Sequence, residues 1–293
     1  MNLVVGATGS LGGEICSRLA KAGRPVRGLV RPSSNPERVA ALRKLGIELA
    51  TGDLTDPASL DAACRGVTTV YSTATAIQSQ QEGNTMDRVD REGQANLVAA
   101  AKKAGVRRFV FVSFREKSGL DFPLQAAKRA TAEALKKSGI PWTILEASVF
   151  MEIWLGPHLG FDVPGGKARV FGSGEKKVSW ISYHDVAALA IAAAESHEAE
   201  NRVIEVGGPE ALSHHDVIRI FEERSGRKFE VEHVPEEALD AMRANAKSPV
   251  EETFAALMLW VGRGDEIDMR PTLSRYPTRL TSVREYADRV LAG

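Results

Sequence analysis

The sequence is short of cysteine, of any excess charge and of long apolar runs. Cys16 and Cys64 are its two cysteines, both inside helix-like segments, which excludes a disulfide framework and a cysteine-rich zinc site. Lys plus Arg number 38 and Asp plus Glu 38, so the net charge is zero. No local Lys/Arg run restores a basic footprint, and direct contact with nucleic acid is not expected. No stretch approaches the ~20 apolar residues needed to cross a bilayer, so no membrane partner is expected either. The opening Met1-Asn2-Leu3-Val4-Val5-Gly6 has no basic region of the signal-peptide kind. With so little cysteine, the expectation is a soluble protein of a reducing cytoplasm. His158, His184, His197, His214, His215 and His233 show no His-x-x-x-His spacing, and no metal is expected. A Gly-x-Ser-x-Gly elbow is also missing, which leaves a serine hydrolase unsupported.

What is present suits a globular chain. It has 293 residues, 43% hydrophobic and 26% charged, enough for one large or two modest domains with a proper core. Strand-like runs at Leu3–Val5, Val26–Val30, Ile47–Ala50, Val67–Ser72, Arg108–Val112 and Trp142–Leu145 alternate with helical spacing at Gly12–Ala22, Glu37–Leu45, Ala58–Cys64, Met86–Ala104 and Leu124–Ser138. Successive βαβ units predict a parallel sheet with helices on both faces, and right-handed crossovers make it Rossmann-type. Gly105 and Gly139 stand where helix ends favour a left-handed residue, and Asp56-Pro57 supplies an N-cap with proline behind it.

After about residue 148 the alternation degrades. The glycine- and proline-rich stretch 149–177 predicts an irregular excursion. Val178–Ser182 and Val203–Val206 are expected to return to the sheet around the helix Asp185–Glu195. The tail is expected to be mostly helical, with one strand at Phe229–His233. The expected division is a nucleotide-binding domain over 1–207 and a smaller substrate lobe over 208–293.

The chemistry concentrates at the first turn. Val4-Val5-Gly6-Ala7-Thr8-Gly9-Ser10-Leu11-Gly12-Gly13 follows a strand and opens a helix. Gly6 permits the tight turn, Gly9 lets backbone approach a pyrophosphate, and Gly12 allows close helix–strand packing. Thr8, Ser10 and Leu11 lie in the same turn, where free N–H groups and the helix dipole favour phosphate. At the end of the second strand, where an acidic residue would hold the ribose of NAD, stand Arg31-Pro32-Ser33-Ser34. Arg31 can pair with a 2′-phosphate while Ser33 donates to it, which favours NADP(H); the plainer alternative is an exposed arginine.

Gly6-x-x-Gly9-x-x-Gly12, Arg31-Pro32, Gly52-Asp53-Leu54, the run Ala99–Val106 into Phe109–Ser113, and Ser138-Gly139-Ile140-Pro141-Trp142 resemble the atypical short-chain dehydrogenase/reductases. The resemblance is to their NmrA-like group, which includes quinone, benzylic-ether and isoflavone reductases and redox-sensing regulators. Trp180–Ala187 and Val206-Gly207-Gly208-Pro209 resemble the same group's later segments, so it covers roughly residues 1–225. The resemblance implies adenine contact at Asp53, and cofactor contact at Leu54 and along Thr73-Ala74-Thr75. Asp53 as a simple turn aspartate stays open.

Two departures qualify the resemblance. Most of the superfamily uses a Tyr-x-x-x-Lys pair; here Lys128 matches the lysine, but Leu124 stands at the tyrosine. Benzylic-ether and isoflavone reductases share that pattern, which leaves Lys128 to act as acid/base or to hold the nicotinamide ribose. A solvated surface lysine is the alternative, although no carboxylate lies three or four residues away. Glu146 is the second departure, where relatives often carry arginine. Ser113, at the carboxyl edge of the fifth strand, is a second catalytic candidate against a plain strand-end serine. Phe114, Phe122, Phe150, Met151, Trp154 and Trp180 suit a flat substrate or, equally, a core. The reading is an NADP(H)-dependent oxidoreductase acting on a small aromatic or quinone-like acceptor, with a non-catalytic NADP(H)-binding sensor as the alternative. Monomer and homodimer are both left open.

Overall fold

A computed structural model describes residues 1–77, 83–117 and 119–292. The first half alternates as its apolar periodicity predicts. The run is β1 (Asn2–Val5), α1 (Ser10–Lys21), β2 (Val26–Val30), α2 (Pro36–Lys44), β3 (Glu48–Thr51), α3 (Pro57–Ala63) and β4 (Thr69–Ser72). A π-helical segment (Asp87–Gly93) then leads into α4 (Gln94–Lys103), followed by β5 (Arg108–Ser113), α5 (Pro123–Lys137) and β6 (Trp142–Ala147). The strands form a seven-stranded sheet in the order β3-β2-β1-β4-β5-β6-β9, with β9 at Arg202–Val206. Every neighbouring pair from β3 through β6 is parallel. The fold is therefore α/β, a Rossmann-type sheet.

Local chemistry explains the ends. Asn35 accepts from Glu37 and Arg38 N–H to start α2, and Asp56 accepts from Ala58 N–H ahead of Pro57. Gly105 and Gly139 have φ of +71° and +82°, the left-handed geometry that closes α4 and α5. On α1 the residues Leu11, Ile15, Cys16 and Leu19 form one buried stripe. Burial also pushes the Cys16 thiol up to about 12, so it packs as a small apolar group.

Three expectations change. Met86–Ala104 is one amphipathic stretch by pattern, but it begins as a π-turn before continuing as α4. Gly93 ends that turn in close contact with Leu54, where a Cβ would lie 2.7 Å from Leu54 Cβ. Val178–Ser182 does not return to the sheet; it makes isolated bridges at Val178 and Ile181. Its backbone bonds to Leu212, Asp265 and Val149 instead, and Trp180 Nε1–H donates to Leu212 O at 2.9 Å. Third, the stretch 149–177 contains a short helix, α6 (Met151–Trp154), and two strands, β7 (Phe161–Asp162) and β8 (Lys167–Phe171). β8 pairs with β10 (Glu230–Val234), so the strand expected near Phe229 builds a separate three-stranded sheet, β10-β8-β7. The remaining helices are α7 (Tyr183–Glu195), α8 (His214–Ser225), α9 (Glu236–Ala244), α10 (Pro249–Gly262), α11 (Arg270–Arg275) and α12 (Val283–Ala292).

By contacts the chain forms two compact units interleaved in sequence. One comprises Met1–Phe114, Pro123–Glu146 and Val186–Ile204; the other comprises 115–122, 147–185 and the residues from 205 onward. The second unit has its own aromatic core. Phe161 meets Phe221 at 4.9 Å and Phe229 at 5.6 Å between ring centres. Arg115 pairs with the buried Asp265 and with Glu205 in the same unit.

His214 opens α8 in that unit, its ring centre 5.1 Å from that of Trp180 and 6.2 Å from that of Phe171, both in edge-to-face geometry. Burial pushes it down from 6.5 to about 4, and His215 and His233 add in the same direction. Between those two values the unfolded chain holds a proton that the folded one refuses, so stability falls as the pH is lowered through that window. At about 1.4 kcal/mol per unit the loss reaches roughly 3 kcal/mol. Urea unfolding across the window should show a clearly shallower acid loss in His214→Phe; equal losses in both proteins would assign the effect to other groups.

Candidate functional site

Register fixes where the site residues stand in the first unit. Val5 pairs with Ser72, and Ser72 with Phe111, across β1, β4 and β5. Gly6, Thr73 and Val112 therefore each sit one residue beyond the same row, at the carboxyl edge where open parallel sheets take ligands. Leu29 shares the row through β1, which brings the end of β2 and Arg31 to that edge as well.

The glycine turn is built around its missing Cβ atoms. Gly6 has φ +90°, and a Cβ on it would lie 2.6 Å from Thr73 Oγ1. On Gly12 a Cβ would lie 2.2 Å from Gly6 O, so only glycine lets α1 rest on the turn. Gly9 differs: its φ of −78° suits any residue, and a Cβ would meet only Gly6 O, at 3.2 Å. A Cβ on Gly9 thus needs a shift of only a few tenths of an ångström, unlike one on Gly6 or Gly12. α1 starts at Ser10, two residues earlier than its periodicity suggests, and Gly9 caps it with no side-chain hydrogen bond and no acidic residue in the first turn. The N–H groups of Ser10, Leu11 and Gly12 precede the first i−4 bond, Gly13 N–H to Gly9 O at 2.8 Å. Leu11 turns its side chain into the core, so its contribution to a ligand is backbone.

Arg31 is half-buried, and its own N–H donates to Ser34 Oγ at 2.9 Å while Ser34 N–H donates to Arg31 O at 3.0 Å. That small turn leaves the guanidinium without a carboxylate partner among the described residues. Ser33 is exposed beside it. Sequence reasoning missed Arg38, whose guanidinium donates to Thr8 O at 2.9 Å and brings a second cation to the glycine turn. Its signal was its place one turn into α2, facing back over the loop. Asp53 Oδ1 accepts from Thr55 N–H at 2.8 Å and Thr55 Oγ1 at 2.7 Å, the turn role left open from sequence. Leu54 is buried against Gly93.

Beyond β4, Thr73 Oγ1 donates to Val5 O at 3.1 Å and ties the segment to β1. Gln94 and Asp90, four residues apart and both buried, hold the rest. Gln94 Nε2 donates to Ala74 O at 3.1 Å and its Oε1 accepts from Ser72 Oγ at 2.7 Å; Asp90 Oδ2 accepts from Ala76 N–H at 2.8 Å. Neither residue was singled out from the sequence. The available signal was polar side chains at positions that share a face with Met86 and Leu97.

Lys128 is 8% exposed, so the solvated-lysine alternative does not hold. Its Nζ donates to Val112 O at 3.3 Å and stands 4.8 Å from the centre of the Phe111 ring. Burial pushes the ammonium below its usual range, and the Asp90 carboxylate opposes that. The charge partner that sequence spacing failed to supply comes from another element. Ser113 is not drawn to Lys128; its Oγ reaches its neighbour's carbonyl, Phe114 O, at 3.5 Å. Leu124 is buried, so the tyrosine's place is filled with apolar packing. Among the aromatic candidates, Phe122, Met151 and Trp180 are core residues, while Phe114, Phe150 and Trp154 are half-buried. Among the described residues no cluster of metal-ligating side chains occurs, and no helix is long and apolar enough to cross a membrane.

These features define a Rossmann-type protein with an uncapped helix terminus over a glycine turn. The sequence profile of the NmrA-like family matches residues 2–287, and the chain belongs to that family. It is 32% identical over 315 residues to the isoflavone reductase homolog IRL of Zea mays, covering 99% of this chain and 97% of that protein. To the photosystem II assembly factor Ycf39 of Synechocystis it is 27% identical over 296 residues, covering 97% and 88%. The crystal structure of an NADPH-dependent quinone oxidoreductase of Escherichia coli complexed with NADPH superposes with TM-score 0.79 at 22% identity, covering 99% and 100% of the two chains.

Proposed function

We propose that this protein is an NADP(H)-dependent oxidoreductase that reduces a small aromatic or quinone-like acceptor, with Lys128 as the proton donor. The observation that carries the reading is a buried ammonium at the same sheet edge as an open glycine turn. The residues fit a dinucleotide: a Gly9 side chain would meet one atom of the chain, Gly6 O, and the first turn of α1 is uncapped and free of acid. A bound nicotinamide supplies the hydride. The chain's own part is orientation and charge. Backbone N–H groups of residues 10–12 receive phosphate, Gln94 and Asp90 hold residues 74–76 in place, and Lys128 donates a proton to developing oxyanion character. The reductase names among the relatives support this, and the quinone-like acceptor rests on the same kind of likeness.

Arg31 supports NADP(H) over NAD(H). A charge-assisted pair to a 2′-phosphate is worth on the order of 2 kcal/mol, about thirtyfold in affinity. NADPH should bind correspondingly tighter than NADH, and Arg31→Glu should erase the difference. Equal dissociation constants in the unmodified protein would sink the assignment.

Leu124 favours a second reading, an NADP(H)-binding regulator without turnover, and several relatives are named as an assembly factor. A titration with NADPH followed by a turnover screen on quinones and aldehydes separates the two. NADPH oxidation that depends on acceptor supports the reductase, and tight binding with no turnover supports the regulator.

A further inference from the structure

Asp90 is 1% exposed, on the π-turn before α4. Its Oδ2 is used by Ala76 N–H, and Thr131 Oγ1 donates to its backbone carbonyl at 2.8 Å, fixing the turn against α5. Its Oδ1 is buried and has no hydrogen-bond partner among the described residues. One turn before Thr131 on α5 is Lys128, whose ammonium has three donors and, among the described residues, one hydrogen-bond acceptor, Val112 O. No ion pair within 4.0 Å joins Asp90 to Lys128 among the described residues, yet each is the charged group that acts on the other. A buried carboxylate with an open oxygen and a buried ammonium with open donors are both costly alone.

We propose that Asp90 is the positioning residue of Lys128: its carboxylate is the fixed counter-charge that keeps the buried amine in its ammonium form beside Val112. This rests on the reading of Lys128 as proton donor. Among the described residues Asp90 is the charged group that acts on Lys128. Asp87, Arg88, Arg91 and Glu92 on the π-turn, Lys102 and Lys103 on α4, and Arg129 and Glu133 on α5 are all exposed. Arg108 lies at the opposite end of β5, donating to Ala193 O. Burial raises the Asp90 carboxyl, while Lys128, the Ala76 N–H and the Thr75 hydroxyl pull it back. Burial likewise lowers Lys128 against Asp90. With the counter-charge gone, desolvation acts on Lys128 unopposed, and the amine loses its proton at lower pH.

Asp90→Asn isolates the charge, because an amide oxygen can still accept from Ala76 N–H. Lysine Nζ NMR titration of the ¹⁵N-labelled protein without cofactor, with Lys128→Met assigning the signal, should show the Lys128 midpoint falling by about one pH unit or more in Asp90→Asn. In the pH profile of kcat/KM with NADPH and a quinone, the basic limb should move down by the same amount. Activity lost at neutral pH should return as the pH is lowered, a rescue that a purely structural defect would not show. An unmoved Lys128 midpoint overturns the proposal. Should Asp90→Asn fail to fold, the reciprocal measurement decides: in Lys128→Met the Asp90 carboxyl midpoint, read by ¹³C NMR, should rise, and an unchanged value overturns the pairing. An unmodified protein that turns over no acceptor overturns the reductase reading, and the two titrations still decide the pairing.

Discussion

Lys128→Met should lower kcat by about a hundredfold or more, the scale seen when a single donor to a developing oxyanion is removed, roughly 3 kcal/mol. Methionine keeps the apolar stem that packs on Phe111 and removes the charge and every donor. Asp90 is then left buried without its cation, and its carboxyl, already raised by burial, moves further up, which favours the neutral form and limits the cost to the fold. Leu124 has no proton to give and Ser113 Oγ is turned to Phe114 O, so neither stands in directly. The measurement is kcat together with the NADPH dissociation constant, on a quinone and on an aldehyde. The aldehyde should suffer more, because its reduction generates a localised alkoxide, whereas a quinone spreads the charge. If both constants stay at their unmodified values, Lys128 has no part in the site.

Gly9→Val and Gly12→Val should fail in opposite ways. At Gly9 the backbone geometry admits any residue and the turn offers a new Cβ only one contact, so Gly9→Val should fold with a thermal midpoint near that of the parent. Its isopropyl group fills the space over the first turn of α1, and NADPH binding should fall beyond detection, at least a hundredfold, since the pyrophosphate loses its approach to the backbone. At Gly12 the new Cβ would run into the carbonyl oxygen and carbon of Gly6, at 2.2 and 2.7 Å. Backbone cannot yield as a flexible side chain does, so Gly12→Val should unfold the first unit or lower its stability by several kcal/mol, an overpacking cost at the upper end of the usual range. Thermal melts and NADPH titrations of both variants check the contrast. Undiminished binding by folded Gly9→Val would place the nucleotide elsewhere.

The parallel sheet from β1 through β6 was legible because its signals are local. Apolar runs of strand length, helical stripes such as Leu11-Ile15-Leu19, the Asp56-Pro57 cap, and the glycines closing α4 and α5 each act within a few residues. The glycine turn was legible for the same reason. What failed was decided by partners far away in sequence. Val178–Ser182 has the composition of a sheet strand, but Leu212, Asp265 and Val149 claim its backbone groups. β8 carries only the short alternation Lys167-Ala168-Arg169-Val170 inside a glycine-rich stretch, and its partner β10 lies some sixty residues on.

The sequence by itself determined the class of fold and the glycine turn, because both are written in spacings shorter than one βαβ unit, and its resemblance to the short-chain reductases singled out Lys128 as the lysine worth testing. Tertiary structure alone decided what surrounds that lysine. Spacing along α5 offered Lys128 no carboxylate, and the fold brings Asp90 to it from a π-turn 38 residues upstream, held by Ala76 and Thr131. Electrostatic partnership inside a protein depends on distance and desolvation through space, and neither is a property of sequence separation.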